Sequence, residues 1–243
     1  MVRYILSLSG GKDSAASLLY LIEHRMPLDE AVFYDTGMEF DCVRQVIYTQ
    51  LAPLLAANGI KLTTLHPKNP FMWDMLERPI LAKDGSAKTG RKWCGGPCRW
   101  GTNEKISSIR RYCKSLCDNG DTVHQYVGIA ADEEKRLLRL EPDKSSPIAE
   151  AGLTEKDCLQ ICRNHGLSWL ENGYDLYDHL DRLSCFCCRN KNLGELRFMY
   201  TQLPEYWNRL RYMQMRMPDM PMKPYGSVFD LEKRFEAEKT RAA

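Results

Sequence analysis

The sequence contains no apolar run near the roughly 20 residues that a membrane-spanning helix needs, no internal repeat and no low-complexity segment. These absences exclude a transmembrane helix, a solenoid array and a compositionally disordered chain. The opening Val2–Leu8 stretch is broken by Arg3 and Ser7 and lacks a cleavage site, so the expectation is a cytoplasmic protein. Histidine is scarce. Of five histidines, His24 and His165 fall near expected helix ends and His66 and His124 at strand boundaries, where capping and core hydrogen bonding are the ordinary roles. None is a catalytic candidate. Net charge is also small, at +2.

What is present is a chain of 243 residues, 44% hydrophobic, long enough to bury roughly 70% of its unfolded surface and form a globular core. Ten cysteines in a reducing compartment point to free, catalytic or metal-bound thiols rather than a disulfide framework. The low net charge hides an asymmetry: residues 83–111 sum to +6 and residues 189–216 to +4, so the remainder sums to −8. Positive charge in two distant segments is expected when a fold assembles one anion-binding face from separate pieces; two solvated helix faces are the plainer alternative.

Val2–Leu8 reads as a strand that passes through Ser9-Gly10-Gly11 into a helix with apolar positions at Ala15, Leu18, Leu19 and Ile22. Further strands are expected at residues 31–34, 61–65 and 123–129, with helical patterns between them. Strands alternating with helices imply an α/β fold: a doubly wound, mostly parallel sheet with helices on both faces and ligands beyond the carboxyl ends of the strands. After about residue 147 the pattern turns to helices and loops, with Thr154 and Asp157 spaced as a capped helix start. The expected division is therefore a nucleotide-binding domain at 1–146 and a smaller helical, cysteine-rich appendage at 147–243.

Ser9-Gly10-Gly11-Lys12-Asp13-Ser14 lies between the first strand and helix, where backbone N–H groups and the positive helix end converge on one small volume. Such a volume suits an anion. Lys12 and the hydroxyls of Ser9 and Ser14 add charge and donors for phosphate oxygens. It is not a Walker A loop, because Leu6 stands where the first glycine belongs and Asp13 follows the lysine.

Ser9–Ser14 resembles the pyrophosphate loop of the N-type ATP pyrophosphatase (PP-loop, adenine nucleotide α-hydrolase-like) superfamily, and later landmarks resemble its PAPS reductase-like branch. Asp35-Thr36-Gly37-Met38-Glu39-Phe40 is similar to that branch's second-strand signature, and Gly128-Ile129 with Asp132, Glu133 and Arg136 to its nucleotide-binding turn. Pro147-Ile148 with Thr154 and Asp157, then Tyr177 through Cys188, resemble the segments that follow. The resemblance implies ATP with Mg2+, its phosphates on residues 9–14 and its adenosine near Asp35 and Gly128. It implies catalysis by Lys12, Asp13 and Asp132, the two carboxylates being candidates for Mg2+ or hydroxyl contacts, as carboxylates beside transferred phosphates serve a hard cation. Two departures matter. No cysteine follows Cys188, where the dedicated sulfonucleotide reductases carry a reactive tail cysteine, and Ala130 stands where many members have an arginine. Both favour ATP over a sulfonucleotide.

Cys94-x3-Cys98 and Cys185-x2-Cys188, with Cys187 as an extra thiol, supply a candidate metal quartet beside the two basic windows. Four thiolates hold a 4Fe-4S cluster or a structural Zn2+, and spacing leaves these open alongside no metal at all; the resemblance tips the choice toward the cluster. Cys113, Cys117, Cys158, Cys162 and Cys42 are expected to be structural, the first four as small apolar core residues. The stripe of Tyr200, Tyr206, Trp207, Tyr212, Met213 and Met217 is expected to be helix packing, with a nucleic-acid contact the alternative because Arg209, Arg211 and Arg216 interleave. The expected function is ATP-dependent adenylation of a substrate with release of pyrophosphate, serving iron-sulfur-assisted sulfur transfer to a nucleic acid or nucleotide. A sulfonucleotide reductase and a non-catalytic nucleotide-binding accessory subunit are the alternatives. Expected partners are an adenine nucleotide, a nucleic-acid substrate and a sulfur donor or partner subunit, with homodimerisation left open and no membrane.

Overall fold

The computed structural model describes residues 1–94, 98 and 101–242. Gly95, Gly96 and Pro97 of the first cysteine pair, and Arg99 of the first basic window, lie outside the described residues. The chain begins β1 (Val2–Leu8), α1 (Lys12–Glu23), β2 (Glu30–Tyr34), then α2 (Asp41–Gln45), which runs through a π-helical turn into α3 (Ala52–Ala57). It continues β3 (Lys61–Leu65), α4 (Phe71–Leu76), a hairpin of β4 (Pro79–Leu81) and β5 (Ala87–Thr89), α5 (Thr102–Asp118) and β6 (Thr122–Val127). Next come α6 (Glu134–Leu137), β7 (Lys144–Ser145), α7 (Pro147–Glu150), α8 (Glu155–Asn164), and a second small hairpin of β8 (Leu170–Glu171) and β9 (Tyr174–Asp175). Three helices, α9 (Leu193–Gln202), α10 (Pro204–Met215) and α11 (Val228–Ala242), complete it.

Five strands form the central sheet in the order β3-β2-β1-β6-β7, and every neighbouring pair is parallel. Alternation along the strands sends successive side chains to opposite faces. Ile5, Val32 and Tyr34 pack against Ile109 of α5 on one face, whereas Leu6, Leu8, Ala31 and Phe33 join the larger core on the other. Both faces are therefore covered, as the α/β pattern requires. The larger core is continuous from β1 and α1 through Cys158, Cys162 and Trp169 to Leu196, Leu210 and Phe235. α8 opens with the reciprocal capping box of Thr154 and Asp157.

The strand order reverses at β1: β2 lies to one side and β6 to the other. The crevice at the carboxyl ends of β1 and β6 is the switch point where ligands of open α/β sheets bind. The 9–14 loop leaves β1 there and Gly128 leaves β6.

Two expectations about side chains are refined. Cys158 and Cys162 are fully buried, but Cys117 is exposed. The buried stripe of α5 runs through Ile109, Tyr112, Cys113 and Leu116, and Cys117 falls just past its edge. In the aromatic stripe Tyr206, Trp207, Met213 and Met217 are buried in the core, while Tyr212 is half exposed.

Candidate functional site

The 9–14 loop is held from inside and from above. Ser14 Oγ donates to the Gly11 carbonyl at 3.0 Å and accepts the Ser9 N–H at 3.1 Å, and the two serine hydroxyls lie 2.9 Å apart. Both hydroxyls thus hold the turn. Gly10 takes φ +78°, and a Cβ there would lie 2.7 Å from Val43 Cγ1, so side chains are excluded on two counts. The buried Trp169 indole N–H donates to the Gly10 carbonyl at 2.7 Å. Tyr177, its ring edge-on to Trp169, accepts the Lys12 N–H at 2.7 Å. From the β6 side, a Cβ on Gly128 would lie 2.6 Å from the Ser14 nitrogen, so only glycine lets the two switch-point loops touch.

Around this loop charge is balanced locally. The Lys12 ammonium, almost fully buried, sits 2.7 Å from Asp13 and 3.5 Å from Glu155. Asp13, Glu133 and Glu155 each place a carboxylate oxygen within 4.8 Å of the others. Glu133 is bound by Arg136 at 2.5 Å and approached by Arg182 at 3.6 Å. Burial raises the Asp13 carboxyl above its ordinary range; Lys12 opposes that rise, and the neighbouring Glu155 and Glu133 add to it. Oxygen donors of this kind suit a hard divalent cation. A cleft of about 160 Å3 lined by Ser9, Lys12, Asp13, Glu133, Glu155 and Tyr177 opens over them.

A second cavity of about 1050 Å3 has Ser9, Ser14, Gly128 and Arg136 at one side and Cys94, Cys98, Cys185, Cys187 and Cys188 at the other. The two cysteine segments meet at Gly101, where a Cβ would lie 2.9 Å from Cys98 Sγ and 3.8 Å from Cys185 Sγ. The Gly101 N–H donates to Cys98 Sγ at 3.1 Å. The turn after β2 ties the thiols to the sheet: Thr36 Oγ1 lies 3.8 Å from Cys185 Sγ, and the Phe186 N–H donates to the Met38 carbonyl at 2.9 Å. Burial, with Glu39 nearby, pushes the Cys185 thiol up to about 12, and burial drives the Cys187 thiol well above its ordinary value. Each stays protonated at neutral pH unless a metal takes the proton's place. Soft sulfur donors in this number suit zinc or an iron-sulfur centre.

Lys191 also lines this cavity. Its ammonium is buried, forms no ion pair among the described residues, lies 5.0 Å from the Phe40 ring centre and reaches Ser184 Oγ only at 3.4 Å. Lys223, equally buried, donates instead to the carbonyls of Arg189 and Lys191 and so ties down the same turn.

Lys12, Asp13, Ser9, Gly10, Gly11, Ser14, Gly128 and Arg136 come together at the switch point, and Cys94, Cys98, Cys185 and Cys188 at the far side of the shared cavity. Two residues stand apart. Asp132 is exposed and accepts the Glu155 N–H at 3.0 Å, so it orients the first residue of α8 and does not join the carboxylate trio. Asp35 is buried and accepts the Gly37 N–H at 2.8 Å, closing the turn after β2; Thr36 and Glu39 of that turn line the cavity in its place. Sequence reasoning missed Glu155, Trp169, Lys191 and the carboxylate role of Glu133. Glu133 sits beside the motif residue Asp132, and Glu155 sits in the first turn of a recognisable capped helix. Trp169 and Lys191 carry no local signal.

No family model matches the chain. It is 22% identical over 210 residues, 84% of its length, to an uncharacterized protein of Methanocaldococcus jannaschii, and spans 40% of that protein's length. A solved structure, the U34-tRNA thiolase NcsA of Methanococcus maripaludis with its [4Fe-4S] cluster, overlaps it with a TM-score of 0.44 at 16% identity. That overlap covers 97% of this chain and 71% of the thiolase chain.

Proposed function

We propose that this chain is an ATP pyrophosphatase of the PP-loop type, closest in motif to the PAPS reductase-like branch, that adenylates a nucleic-acid substrate for sulfur transfer. The observation that carries this reading is the shared cavity: an anion loop at a sheet switch point and five thiols open into one volume of about 1050 Å3. Ligand pockets are typically about 300–1,000 Å3, so this one has room for a nucleotide and part of a second substrate.

In this reading a substrate oxygen attacks the α-phosphorus of ATP, and pyrophosphate leaves toward residues 9–14. The developing charge is met by Lys12 and the loop amides, which are positioned beforehand by Trp169, Tyr177 and Gly128. Asp13, Glu133 and Glu155 would hold Mg2+, which supplies charge neutralisation for the phosphates. A hydrosulfide equivalent from a sulfur donor then displaces AMP: the carbon–oxygen bond breaks, a carbon–sulfur bond forms, and no electrons are gained or lost. Cys94, Cys98, Cys185 and Cys188 would hold a 4Fe-4S cluster, which supplies a site for binding sulfur. Zn2+ on the same four sulfurs is the second reading.

The test is iron, sulfide and zinc per chain in protein purified without oxygen, together with pyrophosphate release from ATP in the presence of RNA. About four irons and four sulfides, and a fall in release of at least about 100-fold in Lys12→Ala, are expected. Stoichiometric zinc would overturn the cluster, and full activity of Lys12→Ala would overturn the adenylation step.

A further inference from the structure

The β4–β5 hairpin and the segment that follows it, residues 79–92, are mostly exposed and carry Lys83, Lys88, Arg91 and Lys92 against a single acid, Asp84. Pro79 pairs with Thr89, Ile80 with Lys88 and Leu81 with Ala87, and every residue of β5 is exposed. Strands of this length with their turn project on the order of 15 Å. The tip is closed locally: the Asp84 carboxylate accepts the Ser86 N–H at 3.0 Å and the Ser86 hydroxyl at 2.7 Å. Asp84 is therefore engaged with Ser86 and not with a lysine. Among the described residues, Lys83, Lys88, Arg91 and Lys92 form no ion pair, whereas Arg78 at the hairpin base is bound to Asp74 at 3.1 Å.

The base of the hairpin is fixed to the cavity wall. The Arg91 N–H donates to the Asp74 carbonyl at 3.0 Å and the Lys92 N–H to the Met75 carbonyl at 3.0 Å, both in α4. Phe71 and Met75 of α4, and Trp93 and Cys94 directly after the hairpin, line the large cavity. Lys92 takes φ +56°, a conformation that disfavours every residue but glycine and the short polar ones. A long cation is kept there despite that cost. Inside the cavity Arg139 and Arg189 also lack ion pairs among the described residues, so uncompensated positive charge runs from the arm to the interior.

We infer that the β4–β5 hairpin with its continuation to Lys92 is a nucleic-acid arm: four cations without ion pairs among the described residues hold the phosphate backbone of the substrate strand while an unpaired base enters the cavity between the loop and the thiols. An acidic protein could match the charge, but only a polyanion that also presents a slender reactive group fits an arm rooted at a catalytic-sized cavity. The inference rests on the nucleic-acid reading above and specifies which part of the chain grips that substrate.

The experiment follows binding of a labelled RNA stem-loop to the full-length protein across a salt series. Each phosphate contact contributes about 0.7–0.9 to the slope of log affinity against log salt. The Lys83→Gln, Lys88→Gln, Arg91→Gln, Lys92→Gln variant should lower that slope by about 3 and leave metal content and ATP binding unchanged. Asp84→Asn, which keeps the turn oxygen and removes the one negative charge, should tighten binding by about 2- to 3-fold at low salt. Wild-type protein that binds no RNA at low salt would remove the nucleic-acid reading itself. Wild-type binding with an unchanged slope in the quadruple variant and no gain in Asp84→Asn would overturn the arm alone. A clear preference for anionic lipid vesicles over RNA would overturn the choice of occupant.

Discussion

The two ends of the large cavity handle charge in opposite ways. At the loop end the nearly buried Lys12 is neutralised by Asp13 and Glu155, and Arg136 and Arg182 share Glu133. At the thiol end the buried Lys191 meets, among the described residues, a hydroxyl and an aromatic face but no ion-pair partner. Removing an ammonium from water without a counter-charge costs several kcal/mol, and burial accordingly pushes the Lys191 ammonium below the ordinary lysine range, with Glu195 and the three nearby thiols opposing. The loop end therefore balances its charge within itself. At the thiol end Glu39 is matched by Lys105 at 3.6 Å, which leaves Lys191 short of a counter-charge that thiolates on a metal centre would provide.

The widest separation between the ends comes from the cysteines. Cys185→Ser should reduce bound iron from about four per chain to less than one, with folding retained. Cys158→Ser, in the core between α1 and α8, should keep its iron and lose about 1–3 kcal/mol of stability, because a hydroxyl replaces a buried thiol. Iron analysis and urea denaturation distinguish the two; iron loss in both variants, or in neither, would erase the contrast.

Next in size is Lys191→Met. In metal-free protein it removes an unpaired buried charge, so stability should rise by about 1–3 kcal/mol, several degrees in melting temperature for a chain of this length. In metal-loaded protein the same substitution removes a counter-charge, and the gain should vanish or reverse. An equal gain in both forms would mean that Lys191 does not answer to the thiol centre.

The loop end was largely legible and the thiol end only in part, for a physical reason. Residues 9–14 are contiguous, and strand, glycines and helix dictate their geometry locally, so the anion loop could be read from the chain. Lys12 was legible as a cation but not as one already paired, because Glu155 arrives from α8 more than a hundred residues later. The cysteine pairs were visible as spacings, yet their meeting depends on Gly101 and on the turn at Thr36. Asp35 illustrates the limit of motif reading: its neighbours Thr36 and Glu39 reach the cavity while its own carboxylate holds the turn. The alternation of strands with helices predicted a parallel sheet covered on both faces, since crossover helices pack on either side of such a sheet; Lys191 and Trp169 depend on packing alone.

The smallest effect belongs to the amino ends of the strands, away from the switch point, where charge balance supports the fold and touches neither end of the cavity. Glu30 is fully buried at the start of β2, with Lys61 at 3.0 Å, Arg3 at 3.7 Å and the Tyr112 hydroxyl donating at 2.7 Å; Thr63 Oγ1 also donates to it. Burial alone would raise its carboxyl, but the hydrogen bonds from Thr63, Tyr112 and Lys61 outweigh burial and hold it below the ordinary range. A depressed native pKa means that the unfolded chain binds more protons in acid. The stabilisation is then fully present above the unfolded carboxylate value near pH 4.5 and is lost as pH falls through the lower native value. Glu30→Gln should therefore cost about 1–3 kcal/mol at pH 7 and progressively less toward pH 3, while iron content and RNA binding stay at wild-type levels. Urea midpoints measured at both pH values decide it: a penalty independent of pH would show that Glu30 acts through packing, and a loss of iron would show that the amino end of the sheet and the thiol end are coupled.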